Sequence, residues 1–512
     1  MPEPPRCVPE SAVITGWDFS TGGVKCLAFD LAGNTIAEVR LPTDLWTKGG
    51  VSELNVMQLE GQARASVRAM ASKLRELGRL KDWLAGGISA THHTAARIDR
   101  NHNQVRRAIC WNDQTLARYH QRGLERLGGQ GKVRELIGGP WASRYSLTHL
   151  VKDEETLSLA EWQGTERILC HGPLAAGFLT GNFDVTSLSA AASTGICDLR
   201  TGQWRQEMLE ALAKPELRQL AWQQLPRIID HQEPVGPLSE SLALTAGLDP
   251  GHRPLVFPTS DDQQAGLVGG GAVDAGQVAI ILGNSAVVNS SSATLPATDN
   301  LDAMRLNWGP YLLMRCYTNG AQFLDKIVGK KPRWDRLEEQ ARACPPGCDG
   351  IMVLPFVFAE PSLGVMEKHF AWLPAAPKEP GHKFRAALEA LAYLVALGVR
   401  AHQDAGQKIT RITVSGGIAR SQLMCEILAS VLNMPLERLQ SDEGPALGAA
   451  VTALAALESQ RRRQQNIDTP FTVADAVAQL VKFKDPVVPN PAWREAYQIG
   501  LRDFEKNLNT PK

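Results

Sequence analysis

The stretch VITGWDFSTGG (residues 13–23), continued by VKCLAFDLAGNTIAEVR (24–40), decides the fold. An apolar strand enters a Gly-rich turn and a second strand leaves it. The chain turns again at Ala32-Gly33-Asn34 and returns as a third strand. Asp18 stands at the end of the first strand. A strand-end Asp can hold Mg2+, usually through water. The following turn offers backbone N–H groups and the Ser20 and Thr21 hydroxyls to phosphate oxygens. The same residues also make an ordinary tight hairpin, so this turn alone leaves both readings open.

Working outward, Leu54 to Leu80 carries Leu59, Val67, Met70, Leu74 and Leu77 at helical spacing. LAGGISATHH (84–93) reads as a strand, and residues 95–113 as a hairpin turning near Asn101-His102-Asn103. Residues 114–180 read as largely helical, and 181–250 as mixed and Pro-punctuated. A second block starts near 254. PLVFPTSDDQQAGLVGGGAV (254–273) gives a strand, a polar turn and a small-residue helix. QVAIILGNSAVVNSSS (277–292) repeats the logic of residues 13–40, with Gly283-Asn284-Ser285 at the turn. An apolar helix (384–404), a strand into a Gly turn (408–417), a helix (419–433) and a small-residue helix (444–457) follow. The basic run Gln460–Gln465 reads as the solvated start of a last segment, which ends in a packing helix over 493–508.

The 512 residues predict more than one domain. Lys+Arg and Asp+Glu both total 54, a balance that argues against a dedicated nucleic-acid or membrane-surface binder. Nine scattered cysteines, an odd number, fit reduced thiols rather than a disulfide framework. Cys344 and Cys348 are the only close pair and lack the further ligands a zinc site needs. The N-terminus lacks the order of a signal peptide, and no apolar run reaches roughly 20 residues. A cytoplasmic protein is expected.

Several clusters carry chemistry. Two equivalent Gly turns facing one cleft suit a triphosphate, with the Asn284 and Ser285 side chains as donors. Ser415-Gly416-Gly417-Ile418-Ala419-Arg420-Ser421 follows a strand and opens a helix, a setting for adenosine or phosphate over bare backbone. In Ser260-Asp261-Asp262-Gln263-Gln264, one carboxylate can cap the following helix and the other can serve as a general base. Thr91-His92-His93 and Trp111-Asn112-Asp113 supply a ring and hydrogen-bonding groups suited to a polyol. If strand geometry persists, His92 and His93 point to opposite faces and one of them faces the cleft.

In this order the motifs resemble the FGGY family of carbohydrate kinases, within the actin-like ATPase superfamily, from about residue 13 to 455. GGVSEL (49–54), ISATHH (88–93), ICWND (109–113) and PPGCDGIMVLPFVFAEPS (345–362) look most like its xylulokinases, as do SGGIARS and EGPALGAA (443–450). The resemblance implies an α/β fold of two ribonuclease-H-like domains around a central cleft. Residues 1–253 would bind sugar and 254–512 ATP. It implies transfer of the γ-phosphate of ATP, with Mg2+, to a terminal hydroxyl of a ketopentose, D-xylulose first. Ribulose, sedoheptulose, glycerol and gluconate are the alternatives, and a catalytically silent sugar sensor is the rival class. Asp262 takes the base position and Asp18 sits near the metal. Ser20, Thr21, Gly283, Asn284, Ser285, Gly416, Gly417, Ala419 and Ser421 line the ATP site. His92, His93, Trp111, Asn112, Asp113 and Gln263 surround the sugar, and a homodimer is the expected assembly. Departures from the family pattern are Ser20 for Gly, Asn284 for Thr, Ala359-Glu360-Pro361 for Gly-Glu-Arg, and Thr186-Ser-Leu-Ser-Ala-Ala-Ala192 for Thr-Asp-x-x-Asp-Ala-Ser. Gln263 stands where xylulokinases carry Asn, which is closer to glycerol kinases.

Overall fold

A computed structural model describes residues 6–296, 300–329, 332–441 and 443–508. The first five residues, part of the N-terminal segment read above, lie outside the described residues. Strands β1 (Val13–Phe19), β2 (Gly23–Asp30) and β3 (Thr35–Pro42) form the expected antiparallel meander. Helix α1 (Val56–Glu76) starts at Asn55, whose side chain accepts from the Met57 N–H. It buries Leu59, Val67, Met70 and Leu74 against the sheet. Leu77, expected on that stripe, follows the last helical residue and is exposed.

Strand β4 (Trp83–Ala90) then runs parallel to β1. Two short strands, β5 (Leu255–Val256) and β6 (Ser260–Asp261), pair parallel to β4. The expected division between residues 253 and 254 therefore falls inside the first sheet. Helix α2 (Asp262–Gly269) leaves β6 directly.

The second sheet repeats the pattern. Strands β7 (Gln277–Leu282), β8 (Ala286–Ser292) and β9 (Tyr311–Tyr317) are antiparallel neighbours. Helix α3 (Pro380–Asp404) covers this sheet. Strand β10 (Arg411–Ser415) lies parallel to β7. Helix α4 (Gln422–Leu432) and strand β11 (Leu436–Arg438) follow, the strand parallel to β10. Each half is thus a set of antiparallel strands, three in the first and four in the second with Asp302–Arg305 beside β9, extended by parallel strands, the ribonuclease-H-like arrangement. Among the described residues no helix is long and apolar enough to cross a membrane.

Helix α5 (Gly444–Gln464) packs on β1, on β4 and on α2. Backbone meets backbone there. A Cβ on Gly16 would lie 1.8 Å from the Ala446 carbonyl oxygen, and one on Gly87 would lie 2.1 Å from that of Ala449. A Cβ on Gly448 would lie 1.9 Å from the Ala265 oxygen. The run Gln460–Gln465 is mostly the end of α5 rather than the start of a separate segment. Its Arg462 is buried, because Nε donates to Glu458 Oε1 (2.8 Å) and Nη1 to the Thr469 carbonyl (3.0 Å). Helix α6 (Arg494–Leu508) is the expected packing helix and buries Tyr497 and Phe504 in the second core.

Gly448→Ala should destabilise the protein by about 1–3 kcal/mol or more, the usual range for an overpacked core. Gly131→Ala, in an exposed helix position where a Cβ meets nothing within 4 Å, should be neutral or stabilising. Urea unfolding of the two variants beside wild type checks the contrast.

Candidate active site

Parallel pairing aligns polar residues at the carboxyl ends of β1, β4 and β6. Asp18 is the register partner of Ser89, and Ser89 of Ser260. The Ser89 hydroxyl donates to Asp18 Oδ1 at 3.0 Å. Ligands of open α/β sheets gather at such strand ends.

The two adjacent acids that follow divide their work. Asp261 caps α2: its Oδ1 accepts from the Gln263 N–H (3.1 Å) and the Gln264 N–H (3.0 Å). Its Oδ2 accepts from the Ser189 hydroxyl (3.3 Å) and the Gln264 side-chain amide (3.2 Å). Asp262 is the first residue of the helix and is half-buried. Its Oδ1 is buried and has no partner. Burial holds the Asp262 carboxyl well above the usual carboxylate range, and the Asp261 and Asp18 charges add to this. Backbone N–H groups of Gln263 and His92 oppose the rise. Burial also pushes Asp18 up to about 6, against the Ser89 hydroxyl and the Lys25 ammonium. Asp261 is likewise raised to about 6 by burial, against its hydrogen bonds.

His92 and His93 do not point to opposite faces. Strand β4 ends at Ala90, and His93 adopts a positive φ of 52°. The two rings stack at 3.4 Å, and His93 stacks in turn on Tyr145 at 4.2 Å. His93 Nδ1–H donates to the Ser193 carbonyl at 2.7 Å, which leaves Nε2 as a bare acceptor. His92 Nε2 stands 3.5 Å from Asp261 Oδ2. Burial keeps both imidazoles well below their usual pKa, so they are neutral. Ligand atoms of His92, Asp261 and Asp262 lie within 4.8 Å of one another.

The other sugar-side candidates are placed differently. Trp111 is 46% exposed, and Asn112 is exposed beside it. Asp113 is buried and engaged: it accepts from Lys152 Nζ (2.8 Å), from Thr115 Oγ1 (2.5 Å) and from the Thr115 N–H (2.8 Å). Gln263 Oε1 accepts from Asn289 Nδ2 of the second half at 3.2 Å.

The first Gly turn is closed by its own residues, since the Ser20 hydroxyl donates to the Gly23 carbonyl at 2.8 Å. Thr21 stays partly exposed at its tip. The second turn is held from outside. The Gly320 and Ala321 N–H groups donate to the Asn284 and Gly283 carbonyls, which leaves the Asn284 side chain exposed. Buried Glu360 secures that support by accepting from the Thr318 N–H (2.8 Å) and from Asn319 Nδ2 (3.1 Å).

Beside this turn lies a cavity of about 640 Å³. Gly283, Asn284, Gly417 and Ser421 line it, together with Trp334, Phe384 and Leu388. Gly416 does not line it: its φ is 95°, and a Cβ there would lie 2.4 Å from the Leu282 carbonyl oxygen, so it packs on β7. Ala419 is buried, and Ser421 caps α4 by accepting from the Met424 N–H. Ser285 is not among the lining residues and lies partly buried in the turn just before β8. Sequence reasoning missed Trp334 and Phe384, which stand on separate helices with no motif around them, and it missed Tyr145.

The raised pKa of Asp262 has a sign. Its protonated form is the one folding favours, so that contribution is present at low pH and is lost as pH rises through the folded pKa. Asp262→Asn should therefore gain stability over wild type at pH 8, with a smaller gain at pH 5. Urea unfolding at the two pH values measures this.

Residues 13–269 match the N-terminal domain of the FGGY family of carbohydrate kinases, and residues 330–457 match its C-terminal domain. The chain is 26% identical to the xylulose kinase of Escherichia coli over 464 residues, which cover 87% of this chain and 90% of that protein. It is 24% identical to the glycerol kinase of Paraburkholderia xenovorans over 519 residues, covering 94% and 99%. The solved structure of ligand-bound xylulose kinase from Lactobacillus acidophilus has the same fold, with a TM-score of 0.83 at 18% identity over 97% of this chain and 98% of that one. With both domains matched in order along its length, the chain belongs to the FGGY family of carbohydrate kinases, ATP-dependent enzymes that phosphorylate sugars.

Proposed function

We propose that this sugar kinase transfers the γ-phosphate of ATP to the terminal hydroxyl of D-xylulose, with Asp262 as the general base. One observation carries the role of Asp262: of two adjacent acids, Asp261 is consumed by capping, and Asp262 keeps a buried, unpartnered oxygen. Asp262 takes the hydroxyl proton as the acceptor oxygen attacks the γ-phosphorus. The bond from that phosphorus to the bridging oxygen breaks, and ADP leaves. A raised pKa suits a group that must take up a proton near neutral pH. The similarity to xylulose kinases favours the ketopentose, and the glycerol kinase relative makes glycerol the first alternative.

The first half is assigned to the sugar and the second to ATP. Because β5 and β6 pair with β4, we place the division after α2 rather than at residue 254. His92 and His93 would meet sugar hydroxyls directly, with Trp111 and Asn112 at the mouth. Asp113 and Gln263, already engaged, would hold the walls. The apolar cavity by Trp334 suits adenine, with Gly283, Asn284 and Gly417 toward the phosphates. Ser20 and Thr21 would meet the transferring phosphoryl group, and Ser285, Gly416, Ala419 and Ser421 would shape the walls around the nucleotide. Asp18 offers hard, buried carboxylate oxygens beside a hydroxyl, a fit for Mg2+. When bound, that ion would neutralise charge on the phosphate oxygens. The free cysteines are consistent with a reducing, cytoplasmic setting.

An ADP-release assay over xylulose, ribulose, sedoheptulose, glycerol and gluconate tests the substrate. Xylulose should give the highest kcat/KM, and activity on another of these alone would reassign the acceptor. Asp262→Asn should lower kcat by about 10²–10⁴-fold, the range of general-base catalysis. Retention of most of the rate would remove Asp262 from the mechanism. The acid limb of the wild-type pH–rate profile should lie above the ordinary carboxylate range. Trp334→Ala should raise the KM for ATP by about tenfold, as expected for loss of ~1.4 kcal/mol of ring contact.

A further inference from the structure

Buried polar atoms without a partner are costly, so several in one place call for a reason. His92 Nε2, His93 Nε2 and Tyr145 Oη are such atoms, and they belong to one continuous stack. The stack ends on a charge: the Arg144 guanidinium lies 5.6 Å from the centroid of the Tyr145 ring. Arg144 forms an ion pair with Asp302. Asp302 does not belong to the sugar half. It opens the strand Asp302–Arg305, which pairs antiparallel with β9 in the second sheet.

That strand is anchored firmly against the first half. Leu301, Ala303 and Leu313 share a small core with Ala192 and Leu199. Arg305 Nη1 donates to the Leu199 carbonyl at 2.7 Å. The Arg305 carbonyl accepts at 2.8 Å from Gln264 Nε2, the same amide that donates to Asp261. Both ends of the strand therefore touch groups that frame Asp262: Asp302 through Arg144 and the ring stack, Arg305 through Gln264 and the helix cap. An exposed ion pair would be worth little. This one is partly buried and stands at the head of a stack whose polar atoms await partners.

We infer that Asp302, a residue of the nucleotide half, positions the acceptor site. It holds Arg144 against Tyr145 and so fixes the stack of Tyr145, His93 and His92, whose unpartnered atoms receive hydroxyls of the neutral acceptor. Arg144 and Asp302 are positioning residues that act through this stack. The inference rests on the kinase function proposed above, and it makes a contrary-looking demand: a carboxylate in the ATP-binding half should govern affinity for the sugar.

Initial rates of wild type, Asp302→Asn and Asp302→Glu, with acceptor and ATP varied separately, decide it. Asp302→Asn should raise the acceptor KM by about tenfold or more while the KM for ATP stays within about twofold. Asp302→Glu, which keeps the charge, should recover most of the loss. An unchanged acceptor KM in Asp302→Asn, or a parallel rise in both KM values, overturns the inference. If Asp302→Asn does not fold, as judged by its thermal melt, Arg144→Gln carries the same expectation and the same refutation. A wild type that phosphorylates no polyol would overturn the proposed function as well. An active wild type with unaltered KM values in the variants would overturn only the positioning role.

Discussion

Helix α5 lies against β1, β4 and α2 with no side chains between the backbones at the closest points. Gly16, Gly87 and Gly448 each stand where a Cβ would collide with a carbonyl oxygen. This contact sets the height of everything above it. Strand β1 carries Asp18, β4 carries Ser89, and the N-terminus of α2 carries Asp262. All three elements rest on the same helix. The relative position of the candidate metal-binding acid and the candidate base is therefore fixed by packing only two or three residues away from them, at Gly16 and Ala265. Close-packed interiors resist gradual deformation, so a wider residue at these points would move the acids as well as cost stability.

Above that frame, the local chemistry of two neighbouring acids does the sorting. A helix N-terminus demands an acceptor, and Asp261 satisfies the demand with one oxygen shared by two N–H groups. Asp262 is then held close to two other carboxylates in a poorly solvated place. Such an arrangement lowers stability at neutral pH and suits the proposed role of a base that accepts a proton. His92 and His93 are in the same position on the proposed sugar side, since buried ring nitrogens there lack partners in the protein itself.

Much of this was legible in the sequence. Strand–turn–strand patterns at 13–40 and 277–292, and the small-residue helix after Gly444, follow from local periodicity and glycine placement. The choice between Asp261 and Asp262 came from the family resemblance, and the helix cap supplies its physical reason. What stayed hidden depends on long-range contacts. The pairing of Arg462 with Glu458 and Thr469 buries one residue of a basic run whose end stays solvated, and the run belongs to a helix end rather than to a new segment. Asp113 is engaged by Lys152, 39 residues on, so its carboxylate is not free as its motif suggests. The strand stops at Ala90 and His93 takes a positive φ in the turn beyond it, so two side chains expected to be opposed stack instead. Trp334 and Phe384 meet because the helix Trp334–Arg342 packs on α3. Asp302 reaches Arg144 across 158 positions, and no spacing rule connects them.

The central claim is that Asp262, and not Asp261, receives the acceptor's proton. A crystal structure of the protein with D-xylulose and a non-hydrolysable ATP analogue tests it most directly. The account predicts the terminal hydroxyl oxygen of the sugar within about 2.6–3.2 Å of an Asp262 carboxylate oxygen and facing the γ-phosphorus. Asp261 should still cap the helix in that complex. A sugar hydroxyl bound to Asp261, or an Asp262 side chain turned away from an occupied acceptor site, would contradict it.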